Sequence, residues 1–411
     1  MLDRLTIERM MAWTGGKPVL VALSGGGDSV ALLHLLNAEL GAARLRAVVV
    51  DHALRYGSAD DAKRAAGFAE ALDVGVEILT LTWEEGANRA QQAARQARYK
   101  AICEFARAED LNTVATAHTA DDQAETVIMR AANGSTWRGL GGIAPLAFAP
   151  LWPEGLGIAL ARPLLGTRRE ELRTYLRDRR AAWIEDPANL NSRFERVRVR
   201  QRLAELEADG LDPSRLVRVA KRLRARGDAL DTAARELIAH AVAFDPEPEI
   251  RRDAWHAPAE VRCRALSALI TAAAGASREP AWTEMKRIEQ RVMCPEHRGS
   301  THAGVDFTVA RGGVTLLREL GAVVGRSDGA PPLAPLALPE GEEVIWDGRV
   351  AITALEPGWR AVPARSRHRL AFESDQARLS YKQSKERFRL RFLAPQRVAH
   401  AFAPDINRAK P

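Results

Sequence analysis

The sequence predicts an α/β fold: a doubly wound parallel sheet, then a mainly helical region, then a small β-containing C-terminal segment. Three observations carry this prediction. Short, nearly continuous apolar runs alternate with longer amphipathic stretches from Val19 to Ala132, as strands covered on both faces by helices require. The period turns mostly helical and rich in Ala, Leu and Arg from about Leu203 to Ala274. Beyond Pro331-Pro-Leu-Ala-Pro335, which reads as a linker, Val344–Leu355 has strand character with a turn at Asp347-Gly348.

The elements follow in order. Val19–Leu23 is a strand and Ser29–Leu40 a helix; Leu45–Val50 is the second strand and Ala59–Leu72 the next helix. Val74–Leu81 and Thr113–Ala117 make two more strands, followed by helices over Ala87–Ala108 and Ala120–Ala132. A glycine-rich loop spans Gly134–Gly142, an apolar run spans Leu156–Leu165, and a helical stretch starts at Thr167. The last thirty residues are basic, and no element is legible there. These changes of pattern divide the chain into 1–202, 203–330 and 331–411.

Composition narrows the class. With 46% hydrophobic and 27% charged residues the 411-residue chain is folded rather than disordered. No apolar run has transmembrane length and no signal peptide is legible, so no membrane partner is expected. Cys103, Cys263 and Cys294 are too few and too scattered for a disulfide framework, which fits a reducing cytoplasm. Cys294 and His297 lack a second pair of ligands, so zinc is not expected. The net charge of +7 points to a polyanionic partner. Between Arg193 and Arg226, eleven basic residues face five acids, which fits either a nucleic-acid surface or a solvated helical one.

Polar clusters follow three of the predicted strands: Ser24–Ser29, Asp51–Arg55 and His118–Asp122. In an open parallel sheet the ligand crevice lies outside the carboxyl ends of the strands, so the clusters converge on one edge. In the first cluster, Gly25, Gly26 and Gly27 let backbone N–H groups approach phosphate oxygens, and the helix near Asp28 adds its positive end. No Walker lysine follows, and Val30 stands where G-x-G-x-x-G needs its third glycine. The charge of a triphosphate must then be met by backbone amides, arginines elsewhere and a metal ion. Asp28 is placed to hold Mg²⁺, or simply to cap the helix.

Ser24-Gly-Gly-Gly-Asp-Ser29 resembles the SGGxDS signature of the PP-loop ATP pyrophosphatases, a Rossmann-like family that cleaves ATP between the α and β phosphates. Within that family, Asp51-His-Ala-Leu-Arg55, Ala97-Arg-Tyr99 and His118-Thr-Ala-Asp-Asp-Gln-Ala-Glu-Thr126 resemble segments of the tRNA(Ile)-lysidine synthetases. Gly139-Leu-Gly-Gly-Ile143, Arg162-Pro-Leu-Leu165 and Glu185-Asp-Pro-Ala-Asn189, with Arg196 to Arg200 after it, are similar to further blocks. The resemblance runs from about Val19 to Arg202. Val197 stands where an asparagine is expected, Ala188 replaces a serine, and the loop Asn133–Gly142 carries Trp137 and Arg138.

The resemblance implies a ligase that uses ATP and Mg²⁺ to join L-lysine to C2 of the wobble cytidine of the CAU-anticodon isoleucine tRNA. The base oxygen attacks the α-phosphate, pyrophosphate leaves, and lysine displaces AMP. By this resemblance Ser24, Gly25, Gly26, Gly27, Asp28, Ser29, Asp51 and Arg55 bind ATP, and Arg98 reaches the adenylate. Asp121, Asp122 and Glu125 bind lysine, and His118 with Asp122 serves catalysis; an attacking amine must lose a proton, so nearby carboxylates make chemical sense.

Plainer readings stay open beside these. Asp121 could complement a helix dipole, Glu125 could be an ion-pair partner, and Arg98 could be surface charge. Asp51 could cap its loop, and Asp186 with Asn189 could form a turn. Arg196 and Arg200 could grip tRNA phosphates, approach the α-phosphate or belong to a generic basic surface. A tRNA thiolase would need cysteines that this chain does not pair, and an amidating synthetase would leave the basic C-terminal half without a purpose. A vestigial RNA-binding fold would not need the acids. The oligomeric state, a homodimer included, is not legible.

Overall fold

Five short apolar runs pair in parallel in the computed structural model, and a sixth strand closes one edge of the sheet antiparallel. Residues 1–53, 57–83, 91–185, 195–210, 212–310, 312–326, 329 and 331–404 are described. Arg55, the segment Asp186 to Asn189 and the expected helix start at Ala87 lie outside them. The chain divides into two compact units, Met1–Asp228 and Ala229–Phe402. The boundary falls within one helix, Pro213–Ala241, that runs unbroken through the basic stretch.

The first unit opens with α1 (Arg4–Thr14), capped by the Asp3 carboxylate at the Thr6 N–H. Then come β1 (Val19–Ala22), α2 (Gly27–Leu40), β2 (Leu45–Asp51), α3 (Ser58–Glu70), β3 (Val76–Thr80), α4 (Gln91–Ala108) and β4 (Thr113–Ala115). After α5 (Ala120–Ala132), the single turn α6 (Trp137–Leu140), β5 (Leu146–Phe148) and β6 (Ala159–Ala161), the helices α7 (Arg169–Asp178), α8 (Glu195–Ala208) and α9 (Pro213–Ala241) follow. The sheet order is β3-β2-β1-β4-β6-β5.

Period-two alternation decides which side chain meets which layer. Val19 and Val21 point into a core with Met10, Leu33 and Leu36 and with Leu172 and Leu176 of α7. Leu20, Val48, Val114 and Leu160 point the other way, against Tyr99, Ile102, Cys103 and Ala106 of α4. Both faces are covered, as the apolar strands predict. The chain reverses its winding between β1 and β4, so the loops after these two strands border the crevice expected at such a switch point. The short antiparallel β5 and the helix α1 were not legible: three residues carry no measurable period, and α1 has a weakly apolar stripe.

The second unit combines helices and antiparallel sheets. The hairpin strands β7 (Val242–Phe244) and β8 (Pro248–Arg251) precede α10 (Ala259–Ala273) and α11 (Trp282–Met293). With β9 (Gly299–His302), β10 (Val305–Ala310) and β11 (Gly313–Arg318) they form a sheet in the order β7-β8-β11-β10-β9, so the helical middle also carries strands. After α12 (Leu320–Val324), the strands β12 (Leu336–Leu338) through β18 (Phe388–Phe392) form two small sheets around Trp346, Ile352, Trp359, Phe372 and Phe388. The expected Asp347-Gly348 turn is there, with positive φ at both residues and the Arg349 N–H donated to the Trp346 carbonyl at 2.9 Å. The basic tail is ordered through β18 and α13 (Ala394–His400), whose Ala394 and Val398 join the α10 core.

Arg264 lies within that core on α10 and is 1% exposed. Its guanidinium donates to Asp231 at 2.6 Å, to Glu279 at 3.1 Å and to the Ala401 carbonyl, and it lies 4.3 Å from the Phe402 ring centre. Removing one partner of a buried ion pair leaves charge without compensation, at a cost of about 3–5 kcal/mol. Arg264→Ala is therefore expected to destabilise the second unit by about that amount in urea unfolding. A loss below about 1 kcal/mol would show that the acids do not depend on this cation.

Candidate active site

The glycine loop leaves β1 and enters α2 through Gly25, whose φ is +80°. A Cβ there would come within 2.7 Å of Ile184 Cδ1 and 3.0 Å of the Ala65 methyl, so glycine is required by space as well as by φ. The Ile184 N–H donates to the Gly25 carbonyl at 2.8 Å, fastening the chain next to the predicted Glu185 block onto this loop. Ser29 Oγ donates to the Gly26 carbonyl at 2.9 Å, accepts the Ser24 N–H at 3.2 Å and lies 3.1 Å from Ser24 Oγ. The two serines thus brace the loop. The N–H groups of Gly27 and Asp28, in the first turn of α2, have no acceptor within the helix and remain for a ligand.

Across the switch point, Thr119 caps α5 in a box with Asp122. Asp122 Oδ2 accepts the Thr119 N–H at 2.8 Å and its hydroxyl at 2.9 Å, which fixes the carboxylate and leaves Oδ1 facing the cleft. Oδ1 takes Arg169 Nη2 at 3.0 Å and Arg196 Nη2 at 2.9 Å. Glu125, one turn further and 1% exposed, takes Arg196 Nε at 2.7 Å, Arg200 Nε at 2.8 Å and Arg169 Nη1 at 3.6 Å. Arg169 Nε reaches Asp28 Oδ2 at 3.0 Å. One guanidinium therefore ties the glycine loop to Asp122 and Glu125 of α5.

Asp121 faces elsewhere. It accepts Arg168 Nε at 3.1 Å and the Arg169 N–H, at the start of α7, at 2.8 Å. An anion at a helix N-terminus offsets the two arginines placed there, which oppose the helix dipole. Sequence reasoning passed over Arg168 and Arg169, and that conflict with the dipole was the available signal. Of the predicted residues, Asp28, Asp122, Glu125, Arg196 and Arg200 share one network, and Asp121 borders it through Arg168 and Arg169.

Burial sets the direction of the titrations. It pushes Asp28 above the usual carboxylate range, with Arg169 pulling it part of the way back. At Asp122 burial acts in the same sense, but Arg196, Arg169 and the Thr119 N–H outweigh it and hold the carboxyl low. Burial would lower the Arg169 guanidinium, yet Asp122 and Asp28 raise it. His118, with Nδ1 3.0 Å from Thr116 Oγ1, is lowered to about 3 by burial and then by Arg162, so it is neutral at physiological pH.

A second group of cations lines the neighbouring side. Arg95 Nη2 donates to Tyr99 Oη at 3.2 Å, and Arg98 lies 5.4 Å from the Tyr99 ring centre. Arg162 is buried, donates Nη1 to the Ala144 carbonyl at 2.8 Å and leaves Nε without a partner. Burial lowers Arg98 and Arg162, and no carboxylate pairs with Arg95, Arg98 or Arg162 among the described residues. Among the described residues this is a wall of guanidiniums without a carboxylate partner. Asp51, buried at the end of β2, accepts the Ala53 N–H at 2.9 Å, which is the loop-capping arrangement. No cluster of three metal-ligating side chains occurs among the described residues, so any ion held here would lean on Asp28 and on its ligand's own oxygens.

Residues 3–207 match the model of a family described as the PP-loop domain. The chain is 39% identical over 309 residues to the tRNA(Ile)-lysidine synthase of Hyphomonas neptunium, covering 74% of this chain and 82% of that one. It is 36% identical over 349 residues to that of Mesorhizobium japonicum, covering 81% and 72%, and 43% identical over 223 residues to that of Ruegeria pomeroyi, covering 53% and 52%. Among solved structures, a U34-tRNA thiolase from Methanococcus maripaludis matches 54% of this chain and 78% of its own at 20% identity, with a TM-score of 0.42.

His118 gives the site a pH signature. Its folded value of about 3 lies below the ordinary 6.5, so between these values the unfolded chain binds the extra proton. Its contribution to stability is then fully present above pH 6.5 and is lost as pH falls toward 3. Urea unfolding at about pH 7 and about pH 4 is expected to show a smaller acid loss for His118→Gln than for the unaltered chain. Equal losses would show that His118 is not held neutral by the fold.

Proposed function

The chain belongs to the tRNA(Ile)-lysidine synthases, enzymes built on a PP-loop domain, and we propose that one cleft of this domain carries both halves of the reaction on L-lysine, ATP and the CAU-anticodon tRNA. The single observation that supports this is Arg169, which spans from Asp28 of the glycine loop to Asp122 and Glu125 of α5.

In the first half, the cytidine O2 attacks the α-phosphate and pyrophosphate leaves. The N–H groups of Gly27 and Asp28 receive phosphate oxygens, and Ser24 and Ser29 keep the loop in shape. Arg95, Arg98 and Arg162, which pair with no carboxylate among the described residues, meet the charge at the α-phosphate. Asp28 Oδ1 has no protein partner among the described residues, so it fits as the one carboxylate oxygen that Mg²⁺ needs beside phosphate and water. When bound, the ion offsets the charge of the departing pyrophosphate.

In the second half, the lysine ε-amine attacks C2, loses a proton and expels AMP. Asp122 and Glu125 attract the ammonium, which competes there with Arg196 and Arg200. Displaced from Glu125, these two arginines become available to tRNA phosphates. His118, neutral beside Asp122, positions the amine rather than repelling it. Asp51 belongs to the nucleotide side, to which the family resemblance also assigns Arg55.

A sulfur-transfer reading fits less well. Burial pushes the Cys103 thiol up to about 12, so it is not a ready nucleophile, and all three cysteines are free. No helix among the described residues is long and apolar enough to cross a membrane. ATP, lysine and tRNA as substrates place the enzyme in the cytoplasm.

The test is incubation with ATP, lysine and a CAU-anticodon transcript, followed by mass spectrometry of the nucleosides. The expected product is cytidine carrying lysine less one water, with AMP and pyrophosphate released. Folded protein that binds the RNA without any mass change would falsify the reading.

Asp28→Ala is expected to abolish product. Arg169→Ala should lower kcat/KM on the order of 100-fold, and Arg169→Lys should not restore it, because an ammonium cannot span three carboxylates as a planar fork does. Full activity in Arg169→Lys would remove the bridging role.

A further inference from the structure

The loop 133–142, where this chain departs from the family pattern by carrying Trp137 and Arg138, plays no part in the chemistry above. It is nevertheless held firmly. Gln123 of α5 donates Nε2 to the Ile143 carbonyl and accepts the Ile143 N–H, both at 2.7 Å. Arg130, near the end of α5, donates Nη1 to the carbonyls of Gly139 at 2.7 Å and Gly142 at 2.9 Å. Arg224 of α9 donates Nη2 to the Gly142 carbonyl at 2.6 Å, and its buried Nε has no partner. Arg130 is lowered by burial and by Arg224, and neither has a carboxylate partner among the described residues.

On this frame Trp137 is only half-buried, and the exposed Arg226 guanidinium lies over its ring at 4.5 Å from the centre. Arg218, Arg222 and Arg226 recur every four residues and are all exposed, so they line one face of α9 leading to the tryptophan. About 12 Å of helix separates Arg130, which fixes the loop, from Asp122 in the cleft. An aromatic ring backed by a guanidinium, beside a line of cations and next to a cleft that acts on one base, matches what unpaired RNA requires: a stacking surface for a base and charge for its backbone.

We propose that Trp137 and Arg226 form a stacking platform for an unpaired base of the substrate's anticodon loop, with Arg218 and Arg222 along the adjoining phosphates. The proposal rests on the RNA substrate of the reading above. It adds a specificity surface outside the reacting groups.

The experiment measures the Kd of a labelled anticodon stem-loop RNA and the formation of lysidine with the full-length chain. Trp137→Ala is expected to weaken RNA binding about tenfold, and Trp137→Phe to stay within about twofold, because phenylalanine keeps a π-face. The affinity for ATP, bound at a separate loop, reports whether the variant fold is intact. Unchanged RNA affinity in Trp137→Ala, with lysidine still formed by the unaltered chain, overturns the platform alone. Absence of both RNA binding and lysidine in the unaltered chain overturns the functional reading instead. A second measurement needs no variant: a photoreactive 5-iodouridine in the anticodon loop is expected to cross-link to the peptide containing Trp137. Cross-links confined to other peptides count against the proposal.

Discussion

A nearly fully buried carboxylate, Glu125, is the constraint on which the cleft depends. Taking an ionised carboxylate out of water costs several kcal/mol unless cations and hydrogen bonds replace the solvent. Three arginines do so here, from two helices: Arg169 at the start of α7, and Arg196 and Arg200 one turn apart on α8. Each is then committed to the position of Glu125. Because Arg169 also holds Asp28 and Asp122, the glycine loop, the N-terminus of α5, α7 and α8 are set against one another by a single set of charges.

That arrangement explains what was legible in the sequence and what was not. The parallel sheet and its covering helices were legible because the signal is local: Leu20 and Val21 face opposite layers for the same reason that they are neighbours. The acids of the cleft were legible from their place after strands. Their partners were not. Arg196 and Arg200 drew attention as basic residues suited to an anionic substrate, whereas in the folded chain they lie on Glu125, and Arg169 drew none. Periodicity carries no information about which of 60 basic residues meets which of 53 acids. The same limit hid the ordered tail: β18 finds its place through pairing with β14 (Val350–Ala354), and α13 through packing on α10.

The glycine loop shows the opposite case, in which a local pattern and a distant contact agree. Three glycines suggest close backbone approach to a ligand, but Gly25 is required first by the protein itself. Ile184 and Ala65 fill the space that a Cβ would need, and the Ile184 N–H closes onto the Gly25 carbonyl. Packing against the chain before α8 thus shapes the loop from behind, while the first N–H groups of α2 face forward. The glycine loop and the chain at Ile184 are therefore not independent features.

The charges also divide the cleft in a way that two successive reactions need. In the proposed reaction, transfer of an adenylyl group calls for cations without competing acids, and Arg95, Arg98 and Arg162 around Tyr99 pair with no carboxylate among the described residues. Capture of an ammonium calls for carboxylates, and the proposal assigns that to Asp122 and Glu125, which here pair with Arg196. His118 lies under the influence of both: Arg162 lowers it, Asp122 raises it, and burial decides in favour of the neutral ring. A charged imidazole would repel the amine and weaken the anion side's distinction from the acid side; a neutral one leaves each with its own sign. Arg169, touching Asp28 on one hand and Asp122 on the other, stands at the seam between them. The cleft holds two regions of opposite preference, and in the proposed reaction the base to be modified lies across that seam to meet first the phosphate and then the amine.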